Sequence, residues 1–263
     1  KSFLTIIIYS MKTKITAFVN QKGGVGKTTT TVNLGAYLAD AGKKVLLIDF
    51  DPQGNLSSNV GIADVEKGIY ELLAGQADAN ECVYETPVDN LFVCPTDINL
   101  AGGAVELISV DDREFVLKEA MDEWRGVYDY IFIDCPPALG VLTINALTAA
   151  DEVIVPLQCE YFALEGLSQL LDTIEMVRNT TNPKLTFPRI LFTMYDSRTL
   201  LSRDVVDNLN QNYPDRLFKT IIPRNVKLAE APSHGVPINL YDSLCLGAKS
   251  YENLAKEYMN DGK

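Results

Sequence analysis

The 263-residue sequence has a single histidine, His234, and a single tryptophan, and its five cysteines are Cys82, Cys94, Cys135, Cys159 and Cys245. One imidazole excludes a histidine metal cluster and argues against a Ser/His/Asp relay. An odd number of cysteines with no CxxC spacing supplies neither a disulfide framework nor a metal or iron–sulfur cradle, and they read as reduced, mostly buried thiols of a cytoplasmic protein. The apolar stretch Phe3-Leu4-Thr5-Ile6-Ile7-Ile8-Tyr9 is too short to span a bilayer and lacks a secretory cleavage site. No Gly-, Ser- or Pro-rich linker divides the chain, and no repeat runs through it. Basic residues are in deficit, 23 Lys plus Arg against 35 Asp plus Glu, for a net charge of −12. The long-range field therefore repels phosphate polymers and anionic membranes, so any contact with nucleic acid has to be local.

What remains is a chain that is 47% hydrophobic and 22% charged, large enough to bury a full core. Met11-Lys12-Thr13-Lys14 reads as a natural start, which makes residues 1–10 an N-terminal extension and residues 11–263 a single domain. Continuous apolar runs recur at Ile15–Val19, Val45–Ile48, Leu91–Cys94, Tyr130–Ile133, Val153–Leu157, Ile190–Met194 and Phe218–Ile222. Continuous rather than alternating runs are what parallel strands covered on both faces require. Helical stretches separate them: Leu34, Tyr37, Leu38 and Ala41 form one apolar stripe with Gly42 as a stop, and further helices are expected near 113–124, 143–150, 164–178, 202–212 and 246–258. The expected fold is α/β, a doubly wound, mostly parallel sheet with helices on both faces, and ligands sit at the carboxyl ends of such strands.

Directly after the first run comes Asn20-Gln21-Lys22-Gly23-Gly24-Val25-Gly26-Lys27-Thr28-Thr29, opening the first helix. Gly23, Gly24 and Gly26 let the backbone turn its amides, Val25 among them, toward a polyphosphate at a positive helix end. Lys27 neutralises the terminal phosphates and the Thr28 hydroxyl reaches Mg²⁺, with Thr29 closing the motif, a P-loop NTPase arrangement. Gln21 stands where the general pattern has glycine, and Lys22 is an extra feature. Two further runs end in carboxylates, at Asp49-Phe50-Asp51-Pro52-Gln53-Gly54-Asn55 and Asp134-Cys135-Pro136-Pro137. Asp134 occupies the position of a magnesium carboxylate, binding through water. With His234 isolated, Asp51 is the candidate for orienting or deprotonating the attacking water, and Asp49 for supporting the metal and the nearby loop. Each aspartate taken singly also suits a turn or helix cap.

These residues carry a resemblance. Lys22-Gly23-Gly24-Val25-Gly26-Lys27-Thr28-Thr29 resembles the deviant Walker A motif of the ParA/MinD ATPases, and the 49–55 segment resembles their second acidic motif. The segments 156–166 and 222–235 are similar to chromosomal ParA proteins of the Soj type, and the likeness runs from about Lys12 to Tyr258. The resemblance implies an ATP- and Mg²⁺-dependent homodimer in which Lys22 reaches the partner subunit's phosphates. It implies that Pro223 and Asn225 hold the adenine and that Gln158 and Glu160 line the dimer cleft. It also implies non-specific DNA binding by the ATP-bound dimer, release on hydrolysis stimulated by a ParB-type centromere-binding protein, and a cytoplasmic, nucleoid-associated location.

For the DNA contact the candidates are Arg198, Arg203, Arg224 and Lys227, drawn from the stretch 189–227, where seven basic residues face four acidic ones. That stretch carries +3 against about −15 for the remainder, although solvated helix faces have the same composition. The short stretch before Met11 favours the chromosomal type. Two other readings stand beside this one: a MinD-like membrane-positioning ATPase and a nucleotide-gated DNA-binding repressor with incidental turnover. The mixed charge of the segment 251–263 argues against the first.

Overall fold

The computed structural model describes residues 13–160 and 163–260; the extension expected at residues 1–10 lies outside them. In chain order the elements are β1 (Lys14–Phe18), α1 (Lys27–Asp40), β2 (Val45–Asp49), α2 (Asn55–Asn59), α3 (Ile69–Leu73), β3 (Tyr84–Glu85) and β4 (Leu91–Cys94). Then follow α4 (Asn99–Glu106), α5 (Val116–Ala120), β5 (Tyr130–Asp134), α6 (Val141–Ala149), β6 (Glu152–Gln158) and α7 (Ala163–Asn179). The chain continues through β7 (Arg189–Thr193), α8 (Leu200–Asn212), α9 (Val226–Glu230), α10 (Ile238–Tyr241) and α11 (Leu246–Asn260). The strands form one seven-stranded sheet in the order β3-β4-β2-β5-β1-β6-β7, parallel throughout except for the β3–β4 pair at one edge.

Alternate residues of each strand enter opposite cores, as the period-2 geometry demands. Ile15, Ile48, Ile133, Val155 and Phe192 join the layer containing Trp124, Leu142, Ile174 and Leu209. Phe18, Leu47, Phe132, Ile154 and Leu191 join the layer of α1 and α11. The doubly wound parallel architecture is therefore present, with six of the seven expected strands. The seventh, Phe218–Ile222, forms no strand of the sheet. It runs beside β7 with isolated bridges from Leu217 to Ile190 and from Pro223 to Tyr195. Between these the amides of Lys219 and Thr220 donate to the Glu257 carboxylate of α11, at 2.7 and 2.9 Å, so the ladder is interrupted by a side chain.

Two helices also differ from the pattern. The expected helix over 113–124 begins only at Val116, because Asn145 of α6 accepts from the Leu117 amide and donates to the Arg113 carbonyl, taking both partners of the first helical bond. α1 does not present one stripe: it is buried nearly all round, between the sheet and α11, and Ala41 is exposed at its C-cap. Gly35 allows this fit, since a Cβ there would meet the Leu47 side chain at 2.8 Å. Gly42, at φ 81°, ends the helix as expected.

Candidate nucleotide site

The carboxyl ends of β1, β2, β5, β6 and β7 converge on one rim, and the expected phosphate loop lies there. Asn20 shapes its entry, donating to the Pro156 carbonyl at 2.8 Å and accepting from the Lys22 amide at 2.9 Å. Gly24 and Gly26 have φ of 72° and 88°, a left-handed region that only glycine enters without strain. Gly26 is the N-cap of α1, whose first amides carry the positive end of the helix toward the loop.

Lys27 is only 6% exposed, and its Nζ curls toward the Lys22 carbonyl at 3.3 Å. Burial lowers its pKa, while the Asp134 charge pulls the other way. A buried ammonium whose described bond is to one backbone carbonyl can exchange that contact for phosphate oxygens. Lys22 behaves differently. Its Nζ leaves the loop, is about half exposed, and pairs with Glu160 beyond the end of β6.

The carboxylates meet where the register requires, Asp49 of β2 beside Asp134 of β5. Thr28 Oγ1 donates to Asp134 Oδ2 at 2.6 Å. Asp49 has no exposure and accepts from the Ser57 amide and hydroxyl at 2.8 and 2.7 Å. Burial pushes its pKa up to about 6 against the pull of these bonds. Burial and then the neighbouring Asp49 charge raise Asp134 in the same direction, against the Thr28 bond and the Lys27 charge. Asp51 is half-buried, faces Lys27 electrostatically and is turned by an accepted bond from the Gln53 amide at 3.1 Å.

A hydroxyl beside buried carboxylates is an oxygen-only donor set, which suits a hard divalent cation. Among the described residues no cluster of three or more His, Cys, Asp or Glu forms a cage by itself.

Next to the loop a cavity of about 370 Å³ is lined by Gly26, Thr29, Thr193, Met194, Pro223 and Asn225. Asn225 caps α9, its Oδ1 accepting from the Leu228 amide at 3.3 Å. Thr193 and Met194 carry no local motif and are absent from the expected site. Thr193 Oγ1 donates to the Val25 carbonyl at 2.7 Å, tying the loop to β7, and Met194 turns the chain at φ 49°. Ser57, which holds Asp49, is absent as well. For Thr193 and Met194 the available signal is position alone, at the end of a parallel strand on the ligand rim.

The basic candidates do not form one free patch. Arg198 is 86% exposed but grips Asp196 with two bonds of 2.8 and 2.6 Å, which holds that carboxyl well below the usual range. Arg203 donates twice to the Ser197 carbonyl beside it, and the charge of exposed Arg224 also acts on Asp196, so these three gather at the N-terminal end of α8. Lys227 is turned away, onto Glu230 at 2.9 Å and the ring of Tyr241.

A family model described as an AAA domain matches residues 13–187. The chromosome-partitioning ATPase Soj of Treponema pallidum is 56% identical over 253 residues, covering 95% of this chain and 99% of that protein. The chain belongs to the Soj/ParA family of chromosome-partitioning ATPases. A second Soj, the sporulation initiation inhibitor protein of Bacillus subtilis, is 54% identical over 251 residues, with 95% and 99% coverage. Among solved structures, cobyrinic acid a,c-diamide synthase from Mycobacterium smegmatis with bound ADP and magnesium superposes with a TM-score of 0.82 at 38% identity, covering 95% of this chain and 97% of that one. As a Soj/ParA protein the chain is a nucleotide-binding ATPase of chromosome partitioning. Its five cysteines are unpaired thiols, four buried and Cys245 half-buried. Among the described residues no helix is long and apolar enough to cross a membrane.

Proposed function

We propose that residues 11–263 act as one ATPase domain that closes around Mg-ATP into a homodimer, binds DNA non-specifically in that state, and lets go when hydrolysis separates the subunits. The amides of Gly23, Gly24, Val25 and Gly26 and the ammonium of Lys27 grip the β- and γ-phosphates, while Thr28 and, through water, Asp134 hold the metal. Mg²⁺ when bound neutralises phosphate charge. Asp51 orients the attacking water, and Asp49 braces the loop that carries it through Ser57. Pro223 and Asn225 border the cavity beside the loop, where the base fits. The ADP and magnesium of the 38% identical Mycobacterium smegmatis structure support this ligand pair.

The observation that carries the dimer is the divergence of the two loop lysines. Lys27 is buried in its own cradle, whereas Lys22 points out of it to Glu160, which supports the reading that Lys22 trades that partner for a phosphate on a second copy. Nucleotide occupancy then stabilises the dimer by mass action. A ParB-type partner accelerates the hydrolysis of DNA-bound dimers, and the cycle positions replicated DNA along a nucleoid in the cytoplasm. The membrane alternative finds no support in α11, whose Tyr251, Leu254 and Tyr258 are spent in the core.

Light scattering with size exclusion at saturating Mg-ATP tests the proposal. Asp51→Ala elutes as a dimer that does not turn over, Lys22→Ala binds ATP yet stays monomeric, and Lys27→Ala loses ATP binding. A Lys22→Ala protein that dimerises as well as Asp51→Ala removes the cross-subunit role.

A further inference from the structure

One stretch of the chain carries its entire net charge. Residues 45–112 hold thirteen Asp and Glu and a single basic residue, Lys67, a balance of −12, while the rest of the chain holds 22 of each sign. Lys67 is itself paired with Glu81. Within this stretch α4 carries an apolar face that nothing described covers. Ile98 at its N-cap and Val105 near its end are each 67% exposed, and Ile108, in the 3-10 turn that follows, is 58% exposed. Spacings of seven and then three residues set them along one side of the helix, while Leu100 and Leu107 enter the core. A lone exposed apolar residue is ordinary, but a row of three on one helix is a docking face.

At the head of α4 a cleft of about 530 Å³ is lined by Gln53, Gly54, Ser57, Thr96, Asp97 and Ile98, so it is continuous with the apolar face through Ile98. Asp64 and Glu66 line it as well, and among the described residues neither they nor Asp97 has an ion pair. The walls of the cleft connect to the carboxylates of the nucleotide site. The amides of Gln53 and Gly54 donate to the carboxylate and the carbonyl of Asp51, at 3.1 and 2.9 Å. The Ser57 hydroxyl donates to Asp49 at 2.7 Å and accepts from the Thr96 amide at 3.2 Å.

Charge selects the occupant. The acidic stretch repels DNA and anionic lipid, and a second copy presenting the same face brings carboxylates to carboxylates. A basic segment with apolar residues at helical spacing is drawn in by the same field and buries the row on α4. We propose that α4 and the cleft at its head are the docking site for a basic amphipathic helix of the partner that accelerates hydrolysis, with a cationic side chain of that helix entering the cleft. Occupancy of the cleft fixes the Gln53–Gly54 turn and with it the setting of Asp51. β4, which leads into α4, lies toward the other edge of the sheet from β7, which leads to Arg198, so partner and DNA engage the molecule at separate edges. The inference rests on the partner-stimulated cycle above and names the surface that receives the partner.

Phosphate release from Mg-ATP in the presence of DNA, titrated with the cognate ParB-type protein, tests it. Asp64→Lys with Glu66→Lys, and separately Val105→Asp, raise the partner concentration giving half-maximal stimulation about tenfold or more. Both proteins keep wild-type unstimulated turnover, ATP affinity and retention on DNA, and urea midpoints in the wild-type range show that they fold. Asp89→Lys, an equal charge step elsewhere in the acidic stretch, moves that concentration by no more than about twofold. Reversing the charge of the partner's basic segment restores stimulation of the Asp64→Lys, Glu66→Lys protein. The site is overturned if both variants are stimulated like wild type, if Asp89→Lys impairs stimulation equally, or if Val105→Asp changes the light-scattering mass of the ATP-bound form, which makes the face an interface between copies. Wild type that is stimulated in those cases leaves the partner-driven cycle standing, whereas wild type that no ParB-type protein stimulates rejects both.

Discussion

Asp49 places a carboxylate with no exposure at the end of an apolar strand, held by both donors of Ser57. Burial outweighs those bonds and lifts it to about 6. The folded chain therefore keeps a proton that the unfolded chain, with an ordinary carboxyl near 4, has already released. The stability from this group is fully present below about pH 4 and is lost as the pH rises through about 6. Between pH 5 and 7.5 the loss is about 1 kcal/mol. Asp49→Asn preserves an oxygen that accepts from Ser57 and removes the titration. Urea unfolding of the nucleotide-free protein across that range should thus show wild type losing about 1 kcal/mol more than the variant. Parallel curves would mean that Asp49 is already ionised at pH 5 in the fold.

At the scale of elements, the segment Phe218–Ile222 leads directly to Pro223 and Asn225 and depends on a helix. Glu257 of α11 accepts from the Lys219 and Thr220 amides and pairs with Arg189, so one carboxylate ties the chain to the β7 edge. Hydrogen bonds to a charged group contribute roughly 1.5–3 kcal/mol each, so Glu257→Ala should cost about 2–4 kcal/mol in urea titration. It should also weaken ATP binding severalfold by loosening the wall of the cavity beside the glycine loop, while Glu257→Gln, which keeps an acceptor, costs less. The same carboxylate explains why this apolar run forms no strand: Phe218 and Ile222 are buried as a strand's would be, but its amides are claimed from 37 and 38 residues away. Six strands were legible because burial on both faces writes a continuous apolar run, whereas β3, of two residues, leaves no pattern. The phosphate loop was legible because all its parts are contiguous. Thr193, Met194 and Ser57 were not, since each joins the site only when separate strand ends come together.

Over the whole molecule, a net charge of −12 has to coexist with the DNA contact proposed above. The field of one protomer disfavours that contact, and Arg198 in addition has to leave Asp196 to make it. In the proposed dimer, pairing two copies leaves the repulsion per protomer similar but doubles the local contacts, which would turn weak attraction into useful retention through effective concentration. Each phosphate neutralised contributes about 0.9 to the slope of log affinity against log salt. Arg198→Glu with Arg224→Glu removes two contacts from each subunit, so the ATP-bound Asp51→Ala dimer carrying both changes should show a slope smaller by about 4 in magnitude. The same pair of changes in a Lys22→Ala background, which stays monomeric, should lower the slope by only about 2. Titration of duplex at several salt concentrations measures both, and equal decrements in the two backgrounds would show that dimerisation does not bring the two basic faces onto one DNA.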